Sequence, residues 1–214
     1  MSQSRKDLYL EKMKTIHNNT WKLQPVAIVD MDDVLVEFRD GFSKWIEKKH
    51  GVKPDIFSKQ YYFIEELKSN QIDPEKVFSE FIADGGFLSL DQVKDSKKLM
   101  STLRQKGYWI HILTARPGDN DTCVCDTLEW LEKNKFEFDN LSFSSDKLSW
   151  CQNSLYNKSG SISFAIDDSP KHASKYGLNG FVCHVPKKTY NTQVWNIRNI
   201  KTYDTLDNLI TKIK

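Results

Sequence analysis

Apolar residues along this chain follow two rhythms. Short unbroken runs alternate with segments in which apolar positions recur at three- and four-residue spacing. The first run, Val26 to Val29, comes straight after Pro25 and reads as a buried strand over about 25–30. Tyr108 to Leu113 reads as a second strand, Leu141 to Phe143 as a short third, Ser161 to Ile166 as a fourth and Gly180 to Val185 as a fifth. Helical spacing fills the intervals. From Glu37 to Lys49 it is carried by Phe38, Phe42, Trp45 and Ile46, with Gly51 as the stop. Asp73 and Pro74 form an N-cap and a first helical position. The helix they open has Val77, Phe78, Phe81 and Ile82 as its apolar face and closes at Asp84-Gly85-Gly86. Further helices are expected over 92–106, with Gly107 as stop, over 120–134, from Leu148 to Tyr156, and from Lys171 to Tyr176 with Gly177 as stop.

Strand and helix alternate after the first long insertion, which argues for an α/β fold, a Rossmann-like parallel sheet with helices on both faces. Residues 25–36 and 89–190 form the core in this reading. Residues 37–88 form a small helical cap inserted after the first strand. Residues 191–214 are a tail packing on the core, with a loop around Trp195 and a last helix carrying Leu206, Leu209, Ile210 and Ile213. Residues 1–24 read as a short helical extension with a partial apolar face, Leu8, Leu10, Met13 and Ile16. Packing on the core and homo-oligomer formation are both open to it.

Composition narrows the partners. A length of 214 residues suits one core with an insertion, and 39% apolar residues suffice to fill it. The net charge of +2 creates no global field for stable nucleic-acid binding or for an anionic membrane. No apolar run approaches the roughly 20 residues that a membrane span needs. Met1 to Asp7 is polar with no apolar stretch behind it, so the expected location is the cytoplasm. Cys123, Cys125, Cys151 and Cys183 have no zinc spacing and read as reduced thiols.

The candidate chemistry collects at strand ends. The first strand delivers Asp30, Asp32 and Asp33 in quick succession. Carboxylates so close repel one another and resist desolvation, unless a divalent cation sits among them or one stays protonated. The second strand ends in Thr114, the third leads to Lys147, and the fourth ends in Asp167-Asp168. Sites in open α/β sheets lie outside the carboxyl ends of the strands, so a parallel sheet places all four sets along one edge. Lys158 and Lys171 compete with Lys147, which is preferred because Phe136 to Phe143 feeds into it as a strand should.

In this order the residues resemble the haloacid dehalogenase superfamily of phosphohydrolases. The four motifs are Asp30-Met-Asp32-Asp-Val34, Ile110-His-Ile-Leu-Thr114, Lys147 and Asp167-Asp168. The resemblance implies that Asp30 is a nucleophile forming an aspartyl-phosphate and that Asp32 is the general acid and base. It implies Mg2+ held by Asp30, the backbone carbonyl of Asp32 and Asp168, with Asp167 in contact through water or an outer shell. Thr114 and the Ala115 amide would hold phosphate oxygens, and Lys147 would offset their charge. One departure is Asp33, where the superfamily commonly has Gly; Asp tolerates left-handed backbone better than most residues.

Within the superfamily the chain is similar to the 5′(3′)-deoxyribonucleotidases, through Asp30-Met-Asp-Asp-Val-Leu-Val-Glu-Phe38, Ser145-Asp-Lys147 and Ile166-Asp-Asp168. That likeness implies a phosphatase for deoxynucleoside or nucleoside monophosphates, with Phe38 against the base, a contact of roughly 1–3 kcal/mol. Tyr61, Tyr62 and Phe63 are open to two uses, a second wall for the base or packing within the cap, and at least two of the three read as cap core. Thr114-Ala-Arg116-Pro departs from that group, and Arg116 either contacts a phosphate or sugar oxygen or pairs with Asp119. A polynucleotide-end phosphatase, a small-metabolite phosphatase and a non-catalytic binding protein of the same fold are the alternatives.

Overall fold

The computed structural model describes residue 7, residues 24–60 and residues 63–213. Apart from Asp7 and Gln24, the expected extension over 1–24 lies outside the described residues, as do Tyr61 and Tyr62. Six strands form one sheet: β1 (Val26–Val29), β2 (Trp109–Thr114), β3 (Asn140–Phe143), β4 (Ile162–Ile166), β5 (Cys183–Pro186) and β6 (Ile200–Tyr203). Their spatial order is β3-β2-β1-β4-β5-β6, and every pairing is parallel. Chain order reverses beside β1, where Val29 lies level with Ile112 on one side and Ile166 on the other. Such a switch point opens a crevice at the strands' carboxyl ends.

Alternation along β1 divides the interior. Ala27 and Val29 face a large cluster that includes Ile110, Ile112, Leu99 and Leu103 of α4 (Ser96–Gln105 in a chain-order count of the helices) and Trp130 and Leu131 of α5 (Asp121–Lys133). Val26 and Ile28 face the other side, against Trp109, Leu113, and Ala173 and Tyr176 from the helix Pro170–Leu178. Helices thus cover both faces, as the fully apolar run of β1 requires. Among the described residues no helix is long and apolar enough to cross a membrane.

The insertion contributes α1 (Phe38–His50), α2 (Ile64–Ser69), α3 (Pro74–Ala83) and a 3-10 turn, Gly86–Ser89. The Asp73 side chain caps α3 by accepting the Glu75 N–H at 3.0 Å, with Pro74 at the first position. The aromatic positions of α1 and α3 interlock. Phe81 meets Phe42 at 4.9 Å between ring centroids, Phe87 at 5.2 Å and Trp45 at 5.5 Å, each edge to face. These rings share one apolar cluster with β1 and β2.

Several local expectations meet a different structure. The strand β6 stands where a loop and tail were expected. Ile200-Lys-Thr-Tyr is short and only half-buried at the sheet's edge, so it carries little apolar signal. β5 starts at Cys183, because Gly180 turns the chain with φ +88° and Cys183 is the first residue to pair with β4. The expected helix over Leu148–Tyr156 breaks at Ser154, which has an extended backbone and accepts the Asn157 N–H, so α6 (Lys147–Asn153) and α7 (Leu155–Lys158) are separate. Gly177 is no stop. It lies inside α8 (Pro170–Leu178), where a Cβ would come 2.8 Å from the Arg198 carbonyl. Its missing side chain serves close packing. The final helix, α9, spans Leu206–Lys212.

Phe81 is fully buried at the centre of the ring cluster. Phe81→Ala is expected to cost about 3–5 kcal/mol of stability, read from urea unfolding followed by tryptophan fluorescence.

Candidate active site

β1 hands Asp30 to the site while the sheet still holds it: the Asp30 N–H donates to the Ile166 carbonyl at 2.9 Å. A tight loop follows. Leu35 and Val36 N–H groups both donate to the Met31 carbonyl, at 2.8 and 3.0 Å, and the Asp33 N–H donates to Val36 O at 2.7 Å. The loop needs one left-handed residue, and Asp33 takes that role with φ 55°. The departure from Gly is therefore accommodated in the backbone. It also buries a carboxylate, whose Oδ1 accepts the Arg39 N–H at 3.1 Å and whose Oδ2 finds no partner among the described residues.

Lys147 is the first residue of α6, and Asp146 caps that helix. Its ammonium reaches Asp30 Oδ1 at 2.6 Å and Asp167 Oδ2 at 2.8 Å, with the side chain 1% exposed. The rivals Lys158 and Lys171 are on the surface. Burial works against the charge of Lys147, but Asp167 and Asp30 outweigh it and raise the pKa above the usual lysine value. Burial likewise drives the Asp30 carboxyl up to about 7; Lys147 lowers it, and the charges of Asp167 and Asp32 raise it. Asp168 is raised well above the carboxylate range, by burial first and then by Asp33, Asp30 and Asp167.

Asp30, Asp167 and Asp168 each bring a carboxylate oxygen within 4.8 Å of the others. An all-oxygen set of this kind fits a hard divalent cation. Asp168 is further fixed by the Tyr190 hydroxyl, which donates to Oδ2 at 2.7 Å, and by Asn191 Nδ2, which donates to the Asp168 carbonyl at 2.9 Å. Neither Tyr190 nor Asn191 stands out in the sequence, since both lie in an irregular stretch after β5 with no periodicity.

Thr114 ends β2 fully buried, and its Oγ1 accepts the Arg116 N–H at 3.2 Å, which leaves the hydroxyl proton to donate elsewhere. Ala115 lies between them at the mouth of the strand. Arg116 does not pair with Asp119. Its Nε donates to both oxygens of Asp32, at 3.2 and 3.0 Å, and Nη2 donates to Oδ1 at 2.6 Å. Asp32 is thus held by Arg116 and is not one of the three clustered acids, though its charge still acts on Asp30. Phe38 is 7% exposed, stacked between Phe42 at 5.3 Å and Phe87 at 5.9 Å. Tyr62 lies outside the described residues.

Arg39 was not singled out by the sequence pattern, yet it is buried beside the site. Its guanidinium donates to the carbonyls of Gln60 at 2.8 Å and Ile56 at 3.0 Å, and lies between the Phe63 ring at 4.4 Å and the Tyr190 ring at 4.5 Å. A signal existed. At 100° per residue, Arg39 falls next to Ile46 on the flank of the apolar face of α1.

No family model and no curated protein matches the chain by sequence. Solved structures do match in shape. A predicted phosphatase from Clostridium acetobutylicum shares 17% identity over 89% of this chain and 98% of its own, with a TM-score of 0.64. A dehalogenase matches at 12% identity, 89% and 97% coverage and a TM-score of 0.57. Phosphoserine phosphatase in its apo form matches at 11% identity, 89% and 100% coverage and a TM-score of 0.56. The chain has the haloacid dehalogenase fold. At these identities the likeness establishes that fold, and the chemistry rests on the residues of this chain.

Removing Lys147 leaves the Asp30 and Asp167 carboxylates buried without their cation. Lys147→Met is expected to destabilise the protein by about 3–5 kcal/mol in urea unfolding. The loss shrinks on acidification, because burial raises the Asp30 pKa and removal of Lys147, which lowers it, raises it further, so a proton replaces the missing ammonium while pH is still above the native value of about 7.

Proposed function

We propose that this chain is a magnesium-dependent phosphatase working through an aspartyl-phosphate on Asp30, with nucleoside monophosphates as substrates. The observation that carries the reading is the seat of Asp30. One buried carboxylate contacts a lysine at 2.6 Å, belongs to a triad of acids that suits a divalent cation, and lies at the sheet's switch point. A purely structural ion pair has no need of two further buried carboxylates.

Oδ1 of Asp30 is held by the Met31 N–H at 2.7 Å and by Lys147, which fixes the carboxylate plane. An Asp30 oxygen attacks phosphorus, the bond to the leaving oxygen breaks, and that oxygen takes a proton from the Asp32 carboxylic acid. Water then attacks the phosphoryl group and gives its proton to the Asp32 carboxylate, as the bond to Asp30 breaks. The Thr114 hydroxyl and the Ala115 amide hold phosphoryl oxygens in this scheme, and Lys147 offsets their charge. Magnesium would be held by Asp30, Asp168 and the backbone carbonyl of Asp32, and when bound it supplies the positive charge that lets a carboxylate approach a phosphate anion. Asp167, committed to Lys147, orients that lysine and would contact the ion through water. The nucleotide preference rests on the likeness of the Asp30-to-Phe38 motif alone, because Phe38 is closed in by Phe42 and Phe87 and Phe63 lies against Arg39, so neither ring is offered to a base as expected.

The test is phosphate release from 5′- and 3′-nucleoside monophosphates, deoxy and ribo, beside a 3′-phosphorylated oligonucleotide and a sugar phosphate. Magnesium-dependent release from monomers is expected, with Asp30→Asn reducing it at least about a thousandfold and Asp32→Asn at least about a hundredfold while the fold is kept. Hydrolysis of the oligonucleotide or the sugar phosphate alone would reassign the substrate. Full activity in Asp30→Asn would remove the mechanism.

Magnesium is also expected to raise the melting temperature, by an increment that grows from about pH 5.5 to about pH 8. The sign follows from Asp30, whose pKa of about 7 is raised in the fold. Protonation stabilises the metal-free protein at low pH, that contribution is lost as pH rises through about 7, and the cation then takes the proton's place. A flat increment across that range counts against the triad as the metal site.

A further inference from the structure

Arg116 is enclosed on every side that the structure describes. Its side chain is 1% exposed, whereas that of Asp32 keeps 18%. One edge of the guanidinium meets Asp32, with Nε and Nη2 covering both carboxylate oxygens. The third nitrogen, Nη1, donates to Thr127 Oγ1 at 3.0 Å, and that hydroxyl donates to the Cys123 carbonyl at 2.7 Å within α5. One face of the guanidinium lies over the Phe87 ring at 4.0 Å from its centroid. A group so tethered cannot follow a substrate into the crevice without breaking several contacts at once. Planar, two-toothed pairing instead fixes the plane and rotation of the carboxylate it holds.

We propose that Arg116 is a positioning residue for Asp32, clamping the carboxylate so that its open side faces the leaving oxygen and then the attacking water, and that it is no ligand of the phosphate. The inference rests on the phosphatase reading above, in which Asp32 gives and takes the proton. Phe87 belongs to the insertion and Thr127 to α5, so the clamp is built where the two meet. The insertion therefore contributes to catalysis through the seat of Arg116.

The clamp has a signature that a structural or phosphate-binding role lacks. A poor leaving group needs Asp32's proton as its bond breaks, and an aryl leaving group hardly needs it. Turnover is measured for 4-nitrophenyl phosphate and for the nucleoside monophosphate on which the unaltered protein is most active. Arg116→Ala is expected to lose about a hundredfold in kcat/KM on the nucleotide and about tenfold or less on the aryl ester, a ratio that reports formation of the aspartyl-phosphate and not its hydrolysis, which the two esters share. Arg116→Lys should show the same split, since an ammonium is a point charge and cannot hold both oxygens. It carries the test where the alanine variant does not fold, as judged by thermal unfolding. Inorganic phosphate binding, read by calorimetry with magnesium present, should stay within about threefold of the unaltered protein.

Equal losses in kcat/KM on the two esters would reduce Arg116 to a structural part. A KM raised tenfold or more with kcat kept, or phosphate binding weakened to that extent, would make it a phosphate ligand. Either result overturns the inference while leaving an active Asp30-dependent phosphatase in place. An inactive unaltered protein, or an active Asp30→Asn, overturns the phosphatase reading and the inference with it.

Discussion

Burying like charges together is the constraint on which this structure turns. Asp30, Asp33, Asp167 and Asp168 all lie buried at the carboxyl end of the central strands. Each resists desolvation, and each raises the cost of the next. Lys147 makes the arrangement tolerable by serving two of them at once. That task explains why a lysine at the start of a short helix is buried completely. It also explains why α6 is so short: its work is to deliver one ammonium, and Ser154 turns the chain away soon afterwards.

The aromatic density of the insertion has a related cause. Two arginines stand beside the acids, and both are buried. A guanidinium is weakly hydrated and planar, so aromatic faces can take the place of water around it. Phe87 does this for Arg116, and Phe63 with Tyr190 does it for Arg39. The two arrangements mirror each other. Arg116 comes from the core and rests on a ring of the insertion. Arg39 comes from the insertion and rests on a ring of the core, and that ring's hydroxyl holds Asp168. The same aromatic residues that fill the apolar cluster thus also support the charged site.

The sheet and the four strand ends were legible because each rests on a local signal, an apolar run closed by a polar residue. Lys147 could be chosen over Lys158 and Lys171 by the same logic. What escaped the sequence depends on distant parts of the chain. Arg116 meets Asp32 across 84 positions, and no local pattern links them. Tyr190 and Asn191 act from an irregular segment. β6 is too short and too exposed to announce itself, and the role of Gly177 follows from the approach of Arg198, which the helix pattern does not contain. Arg39 is intermediate. Its place on the flank of an apolar face was visible, but what it would meet there was not.

The buried acids of the site work against one another. Lys147 contacts Asp30 and Asp167, Arg116 pairs with Asp32, and the charges of Lys188 and Arg39 act on Asp33, yet Asp30 and Asp168 are still raised by their acidic neighbours, the mark of an excess of negative charge when every acid is ionised. The raised pKa values of Asp30 and Asp33, each about 7, are one answer to that excess, since protons can neutralise it. A divalent cation is the other, and the two answers compete for the same oxygens. For a phosphatase they are not equivalent. A protonated Asp30 is a poor nucleophile, whereas an ionised Asp30 beside a cation can approach an anionic phosphate. The surplus of buried acid is therefore a stability cost in the bare protein, and the same surplus favours metal over protons as pH rises.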